Sequence, residues 1–84
     1  MFYKIDSWYI QLTIDVICKP CDWCIELSDV NDVDDLKKLL LNTNNYHVDG
    51  NGDSYFTVDD IDNLMHDCGA YSIREMIQNG DLKI

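Results

Sequence analysis

Two start signals and two stop signals between residues 57 and 80 constrain this chain more than any other feature. The first start is Thr57, with Asp60 three residues on. That is the spacing of a capping box, in which each side chain takes the other residue's backbone N–H. Ile61, Leu64, Met65 and Cys68 then recur at helical spacing, and Gly69 closes the run. Ser72 and Glu75 repeat the start signal, with Tyr71 and Met76 placed as a hydrophobic staple across it. Gly80 stops this second helix, and "DLKI" leaves as a short extended tail.

An earlier helix is predicted in "NDVDDLKKLLLN", where acids lead and lysines follow, the order the helix dipole favours. Its apolar stripe is Val33, Leu36, Leu39 and Leu40, and the polar loop "NTNNYH" ends it. Upstream the period changes. In "WYIQLTIDVI", Trp8, Ile10, Leu12, Ile14 and Val16 alternate with Tyr9, Gln11, Thr13 and Asp15, which predicts a half-buried antiparallel strand. "FYKI" before it reads as a short strand or an arm. After the turn "CKPCD", "WCIEL" reads as a return strand with Trp23, Ile25 and Leu27 on one side. Strands first and helices later predict an α+β fold: a small antiparallel β-sheet or hairpins followed by three short helices, the last two helix-turn-helix-like. At 84 residues, without repeat, linker or low-complexity tract, one domain spanning 1–84 is expected.

The charge narrows the function. Six basic residues against sixteen acidic ones give −10. Such a surface repels nucleic acid and anionic membranes and attracts basic protein surfaces, with association rates that fall as salt rises. Residues 1–14 lack the basic start and unbroken apolar run of a secretory signal. No stretch approaches the roughly 20 apolar residues that span a bilayer. A cytoplasmic location is expected, in the host cell of a mobile element if the protein is an inhibitor.

"VDGNGDSYFTVDD" raises the question of a metal. On the twelve-position EF-hand template, Asp49, Asn51, Asp53, the Tyr55 carbonyl, Thr57 and Asp60 fall at ligand positions, and Phe56 at the hydrophobe. The spacing resembles dockerin modules, which implies a calcium-dependent docking module as one alternative. Against it, the sharp-turn glycine is Ser54, the last ligand is the shorter Asp60, and residues 43–48 do not read as an entering helix. "DGNG" as a two-glycine turn, making a hairpin that runs into a capped helix, is the reading adopted. Calcium is set aside.

"CKPCDWC" places Cys18, Cys21 and Cys24 at two successive CxxC spacings. With Cys68 or His66 as fourth ligand they fit a tetrahedral zinc, so zinc stays open although no cofactor is assigned. "CKPC" also resembles the redox motif of thioredoxin-like proteins. That fold sets a cis-proline against the pair, however, and Pro20 is the only proline in the chain.

Residues 56–84 resemble the helix-turn-helix of the excisionase and MerR-type families at Thr57, Val58, Ile61, Leu64, Ser72, Ile73, Ile77, Gly80 and Leu82. The resemblance implies a transcriptional regulator, zinc-stabilised if the cysteines bind metal. Its recognition helix, however, carries Arg74 beside Glu75, and the segment's cations are Arg74 and Lys83 alone, a poor face for phosphate. There is no phosphate loop, nucleophile elbow or HExxH, and His47 and His66 stand in separate elements, so no enzyme is expected.

The expected function is a small acidic interaction module that binds and inhibits a basic nucleic-acid-handling protein or effector complex, with a DNA mimic as one form. In size and acidity the chain is similar to phage inhibitors such as anti-CRISPR proteins. Partner-facing carboxylates are expected at Asp34 and Asp35, at Asp49 and Asp53 in the turn, at Asp59, Asp62 and Asp67, and at Glu75. No direct nucleic-acid or membrane contact is expected.

Overall fold

A computed structural model describes residues 2–83, and the two C-terminal helices are where the capping signals placed them. Counting helices from the N-terminus, the fourth, α4 (Val58–Asp67), begins at Thr57 with a complete capping box. The Asp60 N–H donates to Thr57 Oγ1 at 3.3 Å and the Thr57 N–H to Asp60 Oδ2 at 2.8 Å. Gly69 ends it at φ 79°, a left-handed geometry costly for residues with a Cβ, while the Ala70 N–H reaches back to the Met65 carbonyl at 2.8 Å. The last helix, α5 (Ile73–Gln78), is capped by Ser72, whose Oγ accepts from the Glu75 N–H at 3.2 Å.

The third helix, α3 (Val33–Asn42), also follows the sequence reading. Asp32 caps it by accepting from the Asp35 N–H at 2.9 Å. Asn44, at φ 61°, turns the chain out of it, and the Asn45 N–H closes on the Leu40 carbonyl at 2.8 Å. Between α3 and α4 lies an antiparallel hairpin of β1 (His47–Val48) and β2 (Ser54–Tyr55), pairing His47 with Tyr55 and Val48 with Ser54.

The N-terminal third corrects the sequence reading. Residues 8–16, expected as a strand, are helical: α1 (Ser7–Leu12) runs without a break into a π-helical stretch, Thr13–Cys18. The wider turn is marked by the Lys19 N–H donating to the Ile14 carbonyl, five residues back, at 2.8 Å. The buried positions are Ile5, Tyr9, Ile10, Thr13, Ile14, Ile17, Cys18 and Cys21. They recur as adjacent pairs every four residues, which fits a helix opening to more than four residues per turn and not a two-residue alternation. "WCIEL", expected as the return strand, contains the short helix α2 (Ile25–Ser28). Paired β-structure among the described residues is therefore the small hairpin, with helices on both sides of it in the chain. The fold remains α+β, but strands do not lead and helices follow.

"FYKI" is an arm. It makes a single parallel bridge, Lys4 to Thr57, and stacks Phe2 on Phe56 and Tyr3 on Tyr55 at ring-centroid separations of 4.8 and 5.3 Å. One core joins all elements: Ile14 and Cys18 from the first helix, Leu27, then Leu36 and Leu40 from α3, Phe56, then Ile61, Leu64 and Met65 from α4, and Ile73 from α5. Thr13 is the buried polar exception in the first helix, and its Oγ1 donates to the Tyr9 carbonyl at 2.8 Å.

Leu64 has no exposed surface and sits at the centre of this core. Leu64→Ala is expected to lower unfolding free energy by about 3 kcal/mol in urea titration. Ile25→Ala, at a position 76% exposed, is expected to stay within about 0.5 kcal/mol of the parent.

Candidate functional site

Sorting the carboxylates by what they touch divides the predicted interaction residues into two groups. Asp34, Asp53 and Asp67 are exposed, and their side chains have no hydrogen-bond or ionic partner among the described residues. The others hold the fold. Asp35 accepts from the Asn31 N–H at 3.1 Å, bracing the entry to α3. Asp49 Oδ1 accepts from the Asn51 and Asp53 N–H groups at 2.8 and 3.0 Å, shaping the hairpin loop. Glu75 receives the Ser72 hydroxyl at 3.3 Å.

Asp59 and Asp62 take part in a network that joins α1, α4 and α5. The Tyr9 hydroxyl donates to Asp62 and accepts from the Arg74 backbone N–H at 3.3 Å. The Arg74 guanidinium reaches Asp59 at 2.8 Å and Asp62 at 2.5 Å. Burial, then the hydrogen bond to Asp62, raises the Tyr9 pKa well beyond its ordinary value. The hydrogen bond to Asp59, then the Asp62 charge, raises that of Arg74. Arg74 is the one arginine that the helix-turn-helix resemblance would present to DNA, and two of the protein's own carboxylates occupy it. Lys19 is likewise paired with Asp15 at 3.1 Å, and Lys4 lies over the Tyr55 ring at 5.8 Å.

The loop "DGNGD" is an Asx-type turn closing a hairpin. Its left-handed residue is Gly52, at φ 84°, two positions before the place an EF-hand needs it, and Ser54 belongs to β2. Asp60, the twelfth template position, is 4% exposed, and its Oδ2 accepts from the Thr57 N–H, the Thr57 hydroxyl and His47 Nδ1, the last at 2.9 Å. These contacts direct Asp60 into the cap rather than toward Asp49.

The cysteines come near one another without forming a ligand set. Cys18, Cys21 and Cys24 are buried, and Cys68 is half-buried. The Cys21 thiol lies 3.7 Å from the Cys24 carbonyl, and the Cys24 thiol donates to Glu26 Oε2 at 3.3 Å. Among the described residues no group of three or more His, Cys, Asp or Glu side chains is arranged to hold a metal ion. Burial, then proximity to Cys21 and Cys24, pushes the Cys18 thiol up to about 12. Burial and a contact with Cys24 push Cys68 up to about 12. These thiols stay protonated at neutral pH, as small core side chains do.

Sequence reasoning passed over the exposed aromatics. Trp23 and Tyr71 are each 63% exposed and line one groove of about 390 Å³ with Val16, Ile17, Ala70 and Met76. Trp8 and Ile77 border another, beside Arg74. Trp23 had been placed on a strand face and Tyr71 in a staple, assignments that left no reason to look for an open surface. Exposed acids outside the predicted set, Asp22, Asp29 and Asp81, join Asp34, Asp53 and Asp67 as unpaired among the described residues.

Comparison of the chain with protein-family models, curated proteins and solved structures gives no match. No helix among the described residues is long and apolar enough to cross a membrane.

Two outcomes follow from these contacts. Tyr9→Phe removes the hydroxyl between Asp62 and the Arg74 N–H and is expected to cost about 1–2 kcal/mol in urea titration. The second concerns alkaline pH. Cys18 has a raised folded pKa, from 9 to about 12, so its contribution is fully present below pH 9 and is lost as pH rises through about 12. Melting temperature should fall over that window, and Cys18→Ala should flatten part of the fall.

Proposed function

We propose that this protein is an acidic interaction module that binds a basic, nucleic-acid-handling protein and obstructs its nucleic-acid site. The observation that carries the reading is the state of Arg74, held by Asp59 and Asp62 on the helix that would otherwise face DNA. Around it, Asp34, Asp53 and Asp67 remain unpaired among the described residues. A surface carrying −10 overall, with arginine already neutralised internally, opposes phosphate and favours a cationic protein face. A helix-turn-helix regulator would instead need that guanidinium free to contact the DNA backbone. Competition with nucleic acid follows from sign alone, since duplex and acidic module seek the same basic groove. Inhibition of the anti-CRISPR kind is one biological form of such competition.

A gel shift with random-sequence duplex at low salt is expected to show no retarded band, and a retarded band would reverse the proposal in favour of a regulator. Immobilised protein incubated with host lysate should capture basic nucleic-acid-binding proteins and release them as salt approaches about 0.5 M, where screening shortens to a few ångströms. The variant carrying Asp34→Asn, Asp53→Asn and Asp67→Asn should capture less. These three are the appropriate substitutions because neutralising Asp59 or Asp62 would also disturb the helix junction. Capture unchanged by both salt and substitution counts against the proposal.

A further inference from the structure

We infer that the groove between Trp23 and Tyr71 is the contact centre of the acidic surface, and that its occupant is an arginine-bearing segment of the basic partner, with the guanidinium laid against the Trp23 indole. This rests on the proposed function and assigns to it a location. Three observations converge.

The first is that both aromatics are presented on anchored turns. Trp23 lies between Cys21 and Cys24, which are 4% and 9% exposed, so the loop is held by its thiols while the indole faces solvent. The Cys21 N–H also bonds the Cys18 carbonyl at 3.2 Å. Tyr71 stands between the Gly69–Ala70 turn, tied to the Met65 carbonyl, and Ser72, the wholly buried cap of α5. Side chains fixed in advance lose little freedom on binding, and exposed Trp and Tyr so placed have the character of contact hot spots.

The second is shape. The two rings line one groove floored by apolar side chains, Val16, Ile17 and Met76. Trp23 also borders a neighbouring groove toward Cys68 and Leu39. The indole therefore stands as a ridge between two depressions, open to an extended side chain from either side.

The third is charge. Asp81 lines the first groove, Glu26 and Asp67 line the second, and exposed Asp22 precedes Trp23 in the chain. No lysine or arginine lines either groove. Aromatic faces inside an acidic rim select a cation with a flat or aliphatic body. Arginine satisfies both requirements, stacking its guanidinium plane on the ring and directing its N–H groups to the carboxylates. An anionic or purely apolar occupant would leave the rim without a partner.

The test uses the full-length chain and a short peptide alternating arginine with leucine, followed by the two indole N–H signals in a proton–nitrogen NMR spectrum. Trp23→Phe assigns the signals. On titration the Trp23 signal should move while that of Trp8 stays within noise. Trp23→Ala and Tyr71→Ala should each weaken binding at least about tenfold, while Trp8→Phe should leave it within about twofold. Both substituted residues are exposed, and circular dichroism checks that each variant is folded. Peptide binding that persists unchanged in Trp23→Ala would overturn the groove assignment while leaving the acidic-module reading in place. Absence of peptide binding to the parent chain at low salt would overturn both.

Discussion

The contact between Tyr9, Asp62 and Arg74 holds the arrangement of helices together. A phenol on α1, a carboxylate on α4 and a guanidinium on α5 meet at one point, with the Arg74 backbone N–H as a further donor. Helices this short are marginal alone, so their mutual placement depends on tertiary contacts. Ile61, Leu64, Met65 and Ile73 supply the apolar part, but burial is non-directional. The polar junction fixes the angle and register at which these surfaces meet. Because Asp62 is mostly shielded, with its side chain 13% exposed, each partner it keeps matters more than an ion pair in open water would.

The same junction shapes the surface. A chain with few cations uses its only arginine to neutralise two acids where the helices meet, and leaves other carboxylates outward. Overall charge and local charge therefore have different roles. Asp60 and Asp62 are structural, as are Asp35 and Asp49, whereas Asp34, Asp53, Asp67 and Asp81 extend from the fold without bracing it. A count of acids from sequence cannot separate these classes, because the separation depends on which donors lie across space.

Legibility followed locality. The caps at Thr57 and Ser72 and the stop at Gly69 act within a few residues, and α4 and α5 began and ended where those signals said. The same held for α3 and the hairpin around "DGNG". The first helix was misread because positions 8, 12 and 16 satisfy a period of two and a period of four equally. The residues that decide are Tyr9, Thr13 and Ile17, all buried, of which the first two passed for a polar face. A threonine can be buried when its hydroxyl bonds the carbonyl four residues back, as Thr13 does, and composition does not reveal that. The i,i+4 spacings of Gln11, Asp15 and Lys19, which make contact in the fold, were the available sign of a helix. For the site, the cysteines drew attention as ligands while their neighbour Trp23 carried the exposed surface.

The π-helical stretch has a consequence for how this chain tolerates change. A helix that widens to accommodate one more residue per turn is equivalent to an α-helix carrying a single insertion. Removing one residue between Thr13 and Cys18 would return the segment to ordinary pitch and rotate everything beyond it by about 100° about the helix axis. Cys18 and Cys21 would leave the core together, and the loop they tether would lose its footing. The hairpin loop at residues 49–53 lies at the surface between two strands of two residues each, where a change in length displaces little else. Among related sequences, gaps should therefore gather in that loop and avoid the first helix. An alignment built on residue identity alone would tend to misplace the boundary at Cys18, because the frame shift there is structural rather than visible in the letters.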